Sequence, residues 1–88
     1  MNKILKYPII STDEFCLLLH EGATFLCVQE QSGMPQAWFQ VDDSNPTKDR
    51  WFCVIGTGHP FNPHGLKYLG TYQQMGGAFV GHLFEKVW

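Results

Sequence analysis

Three features of this sequence predict a small, mainly antiparallel β domain, a sandwich or open barrel of about six or seven strands. Turn-forming clusters recur at regular intervals, the runs between them are short, and those runs are rich in Phe, Trp, Val, Tyr and Cys. Aromatic and β-branched side chains fit a pleated, half-buried surface, so this is strand composition at strand length. With 88 residues, 44% hydrophobic and 16% charged, the chain has apolar content for one domain, 1–88, and no room for a second.

The first strand is expected at 3–9. Pro8 confines it to a sheet edge or a bulge, because proline has no N–H to give to a ladder. The next segment has two readings. Ser11 followed three residues later by Glu14 fits a capping box ahead of Phe15-Cys16-Leu17-Leu18-Leu19, which would make 11–19 a short helix. Against this, the apolar run ends early and leads through Glu21-Gly22 into another strand-like run, so a strand at 14–20, in a hairpin with its successor, is preferred.

Strands at 24–31 and 36–42 follow, the latter alternating Ala37, Phe39 and Val41 with Trp38, Gln40 and Asp42. The run 50–56 is apolar on both faces, as expected of a central strand covered on both sides. Strands at 67–73 and 78–86 complete the set. The expected core includes Cys27, Val28, Phe39, Val41, Phe52, Val54, Phe79 and Leu83, and Trp88 is expected to pack on a neighbouring strand or a second copy. A core of this size is marginal alone, and uncovered strand edges invite association, so a symmetric homo-oligomer is expected.

Charge narrows the partners. Lys3, Lys6 and Lys48 against Asp13, Glu14, Glu21, Glu30, Asp42 and Asp43 leave residues 1–48 at −3, and residues 49–88 stand at +1. No cluster of Lys and Arg could neutralise a row of phosphates, so duplex nucleic acid is not expected as a partner. A small anion needs only a few N–H groups and one or two cations. No apolar run is long enough to cross a bilayer, the start lacks a signal-peptide core, and no membrane association is expected. Cys16, Cys27 and Cys53 are odd in number and form no CxxC, which fits reduced thiols in a cytosol.

The segment Gly56-Thr57-Gly58-His59-Pro60-Phe61-Asn62-Pro63-His64-Gly65 is the richest in chemical groups. Its glycines free the backbone to turn with N–H groups outward, Thr57 adds a hydroxyl and His59 a donor, and together they suggest a nest for a phosphate or carboxylate. The competing reading is a loop merely turned by glycines and stiffened by prolines. His59, His64 and His82 raise zinc, but no second close ligand pair accompanies them. No cofactor or metal is expected. Ser11, Ser32 and Ser44 sit in ordinary turn contexts, Asp42-Asp43 reads as turn chemistry, and no enzyme is expected, although a phosphodiesterase or metal-dependent activity stays open.

The expected ligand is small, anionic and nucleotide-like. Gly56, Thr57, Gly58 and His59 would hold its phosphate with Lys67, which follows the loop. Its base would stack on Trp38 or Tyr72, with Gln40 or Gln73 at its edge. Arg50 stands at the far end of its strand from Gly56 and could reach that site only from a second subunit.

Several strings match a known group of proteins: Lys6-Tyr7-Pro8, Leu26-Cys27-Val28-Gln29, Trp38-Phe39-Gln40-Val41-Asp42, Gly56-Thr57-Gly58-His59-Pro60, Lys67-Tyr68-Leu69-Gly70-Thr71 and His82-Leu83-Phe84-Glu85. Over nearly its whole length the chain resembles a family of small phage and prophage proteins that carry these GTGHP and KYxGT strings and have no established activity. The resemblance implies phage origin and action in the cytoplasm of a bacterial host. It also implies a role against host defence. Such a protein could act as a non-enzymatic sponge for a nucleotide-derived immune signal, or as an inhibitor that binds a host defence protein, in the manner of an anti-CRISPR.

Overall fold

The computed structural model describes residues 1–10 and 13–87. They form seven strands: β1 (Asn2–Pro8), β2 (Phe15–His20), β3 (Thr24–Gln31), β4 (Met34–Asp42), β5 (Thr47–Gly56), β6 (Leu66–Gln74) and β7 (Phe79–Lys86). A single turn at Met75–Gly77 joins the last two. The strands make two antiparallel sheets, ordered β1-β4-β3 and β2-β5-β7-β6, packed face to face as a small sandwich. The predicted fold class is the observed one. The Ser11 cap and the packing of Trp88 lie outside the described residues.

Alternation builds the interior. Ala37, Phe39 and Val41 of β4 face Phe52 and Val54 of β5 and Leu83 of β7, all buried. Phe39 and Phe52 meet edge to face across the gap, with ring centroids 6.1 Å apart. Tyr7 of β1 and Phe25 of β3 pack edge-on against the same Phe39 ring from the strands on either side of β4. The Ser32–Gly33 turn between β3 and β4 has positive φ at both residues, the geometry of a two-residue hairpin matched to strand twist.

One end of the interior is closed by charge. Arg50, on the inner face of β5, donates from Nε and Nη2 to the two carboxylate oxygens of Glu85 at 2.7 and 2.8 Å. Its Nη1 donates to the Ala23 carbonyl at 2.7 Å, and its guanidinium stands 5.7 Å from the Phe39 ring centre. Two parallel bonds to one carboxylate, a third to backbone and an aromatic face give a half-buried guanidinium good compensation for lost water.

Two expectations need correction. β2 is a strand, but not in a hairpin with β3: it pairs with β5, and β3 pairs with β4 in the other sheet. The turn between β2 and β3 crosses the sandwich because it is tied elsewhere. Glu21 N–H donates to the Pro46 carbonyl, and the Asn45 side chain donates to the Glu21 carbonyl. Cys27 is half-buried on the outer face, because an extra residue between Phe25 and Cys27 bulges the strand and turns Val28 inward instead.

Candidate functional site at the crossover

β5 and β6 both run antiparallel to β7, so they are parallel to each other, and the chain between them must travel the full length of β7. Residues 57–65 make that crossover over the outer face of the four-stranded sheet, where Phe61 settles on Phe84 with ring centroids 5.3 Å apart. Tyr68 packs on Phe84 from the other side at 5.5 Å. A groove of about 280 Å³ opens between crossover and sheet, lined among the described residues by Ile55, Gly56, Thr57, Gly58, His59, Phe61, Tyr68, His82 and Phe84.

The 56–59 segment enters this groove as a tight turn. His59 N–H donates to the Gly56 carbonyl at 3.1 Å, and Thr57 N–H donates to the Val80 carbonyl at 3.2 Å. Gly58 has φ +87°, with no positive φ at Thr57, which is the type II arrangement that reserves its third position for glycine. Two of the N–H groups expected to face an anion are therefore spent inside the fold. What Thr57 offers is its hydroxyl.

That hydroxyl begins a chain of four side chains. Thr57 Oγ1 lies 2.7 Å from His82 Nε2, His82 Nδ1 lies 2.9 Å from Thr71 Oγ1, and Thr71 Oγ1 lies 2.5 Å from the Tyr68 hydroxyl. Neutral imidazole has one N–H and one bare nitrogen, and hydroxyls serve as donor or acceptor, so either tautomer satisfies the chain. Alternation along β7 puts His82 and Phe84 on the outer face. The bulge between Tyr68 and Gly70 lets Tyr68, three residues before Thr71, share that face with it: Thr71 pairs with His82 and Tyr68 with Phe84. The groove thus joins three aromatic rings to a row of hydroxyl and imidazole groups.

The other predicted site residues lie elsewhere. Lys67 pairs with Glu85, four residues along β7 from the Gly81 that pairs with Gly56, a separation of about 13 Å at the usual strand rise. It lines a separate pocket of about 400 Å³ with Arg50 and Glu85. The crossover, not the loop's position in sequence, decides this. Tyr72 is 3% exposed in the core, its ring lying where a side chain on Gly81 would stand, so it offers no stacking surface. Trp38 and Gln40 share the outer face of the three-stranded sheet, on the opposite side of the sandwich. Gln73 is exposed, two residues beyond Thr71 and outside the groove lining. His59 and His82 line the groove while His64 lines its neighbour, and no group of three metal-ligating side chains occurs among the described residues.

Sequence reasoning left Phe61, Tyr68, Thr71 and Phe84 out of the predicted site and weighed His82 only as a metal ligand. A signal for them existed: Thr57 comes from the GTGHP string, Tyr68 and Thr71 from KYxGT, and His82 and Phe84 from HLFE. Among the thiols, burial pushes Cys53 above its ordinary value, so it stays protonated and behaves as a small hydrophobe.

A family model for a domain of unknown function, DUF7352, matches residues 1–87. The chain belongs to the DUF7352 family. Neither a curated protein nor a solved structure matches this DUF7352 chain at a significant level. No helix among its described residues is long and apolar enough to cross a membrane.

Proposed function

We propose that this protein sequesters a small molecule bearing a nucleobase-like ring, held beneath the crossover and released unchanged. The observation that carries this reading is the groove in which Phe61, Tyr68 and Phe84 border the Thr57–His82–Thr71 hydrogen-bond chain. A planar ring stacks on the aromatic side chains, and its edge trades hydrogen bonds with Thr57 and His82. A volume near 280 Å³ suits one base and its sugar, not a ligand with two bases. No Lys or Arg is among the lining residues described, so charged substituents of the ligand point outward past His59 into solvent.

The resemblance to phage proteins supplies the setting: a phage accessory protein acting against defence in a bacterial host cytoplasm, with a nucleotide-derived immune signal as ligand. Titration calorimetry with nucleosides, nucleoside monophosphates and inorganic phosphate tests the reading. Binding of the first two, little affected by removing the phosphate, is expected. Replacing Phe61 by Ala should weaken it about tenfold to a hundredfold, the range of one lost base–aromatic contact. If neither nucleosides nor nucleotides bind, the sponge reading falls, and inhibition of a host defence protein takes its place.

A further inference from the structure

The sandwich has four edge strands, β1 and β3 in one sheet and β2 and β6 in the other. Three carry features that discourage pairing with another chain. β1 has exposed Lys3 and Lys6 and ends in Pro8, β3 is bulged between Phe25 and Cys27, and β6 is bulged between Tyr68 and Gly70 and carries exposed Lys67. β2 has none of these. Its six residues, Phe-Cys-Leu-Leu-Leu-His, contain no Pro, Lys, Asp or Glu, and their register with β5 runs unbroken from Phe15↔Phe52 to His20↔Thr47. Among the described residues, the only backbone hydrogen bond β2 makes outside that ladder is at its end, where the His20 carbonyl accepts from Ala23. On the outer face Leu18, opposite Asp49, is 58% exposed, and Trp51, opposite Cys16, is 47% exposed.

We infer that β2 is a self-association edge, pairing antiparallel with β2 of a second copy to join the two four-stranded sheets into one. The inference stands apart from the ligand reading and uses none of its residues. A two-fold axis perpendicular to the sheet keeps inner faces inner, so each residue must oppose one of the same parity. Two registers use most of the strand, and charge separates them. With Leu17 on the axis, Phe15 opposes Leu19, Cys16 opposes Leu18, and Glu14 opposes His20 of the second copy at both ends. With Leu18 on the axis, the buried Phe15 opposes Glu21, which would draw a carboxylate toward the apolar layer. The Leu17 register therefore holds, and the uncharged run between its ends brings no like charges together.

One strand pair is a small interface, so the association belongs to the micromolar class. Sedimentation equilibrium at about 100 µM should give twice the 10.1 kDa chain mass. Leu18→Lys, at an exposed position, should return the mass to that of one chain with an unchanged circular dichroism spectrum. In the Leu17 register, Leu18→Cys stands directly opposite Cys16 of the second copy, near enough for a disulfide. Oxidation with glutathione disulfide should then yield a covalent dimer whose linking peptides contain position 16 of one chain and position 18 of the other. A parent that is monomeric at that concentration overturns the inference, as does a Leu18→Lys protein that remains dimeric. Links from position 18 to position 18 overturn the register.

Discussion

Two polar networks cross the four-stranded sheet, one on each face. The inner one, Arg50, Glu85 and the Ala23 carbonyl, is charged, mostly buried at the edge of a pocket, and bonded within itself. The outer one, Thr57, His82, Thr71 and Tyr68, is built of hydroxyls and an imidazole, exposed, and open to a groove. A charge placed between two sheets must be paired by the protein, since a lone one costs several kcal/mol. A hydroxyl at the surface can exchange its partner for water or for a ligand at little cost. The inner network is therefore a fastening and the outer one a surface for recognition.

Breaking the inner network should have the largest effect. Arg50→Ala leaves the Glu85 carboxylate buried and unpaired and should lower stability by about 3–5 kcal/mol in urea denaturation. Replacing the pair together, Arg50→Met with Glu85→Leu, should recover most of that loss. A loss of less than about 1 kcal/mol for Arg50→Ala would mean the pair behaves as a surface one. Next comes the contact just inside the sheet from the open network. A Cβ on Gly81 would lie 2.6–2.8 Å from the Tyr72 ring, so Gly81→Ala should cost about 1–3 kcal/mol by crowding. Its heat denaturation midpoint should fall well below that of the parent.

The outer network should yield least to mutation in stability and most in binding. Thr57→Val removes one hydrogen bond at the surface and should cost no more than about 1 kcal/mol, while weakening nucleoside binding in the same calorimetric assay. An equal loss of both would make this chain a second fastening. The smallest effect belongs to a surface cluster, where Ser44 and the Met1 amino group hold the Asp42 carboxyl well below its ordinary value of 3.8. Lys3 and the same amino group do likewise for Asp43. A depressed folded pKa stabilises above the unfolded value and loses that contribution as pH falls through the folded one. The acid limb of the melting curve should thus lie below about pH 4, and Asp42→Asn should flatten part of it.

Much of this molecule was legible without coordinates. Periodicity and turn chemistry placed each of the seven strands to within about three residues, because a two-residue alternation between turn formers has few other solutions. It also put Phe39, Val41, Phe52, Val54 and Leu83 in the core. Pairing was another matter. Strand-like composition at 14–20 and 24–31 cannot say that these neighbours in sequence belong to different sheets, with their connecting turn held by Asn45 and Pro46 far along the chain. The site followed the same rule. Local sequence showed that 56–59 turns tightly, but only the parallel relation of β5 and β6 carried Lys67 to the far end of β7. That same relation laid Phe61 over Phe84 and brought Thr57, His82 and Thr71 into line. Side-chain alternation is a property of the chain within a few residues, whereas strand order depends on which distant surfaces bury each other best.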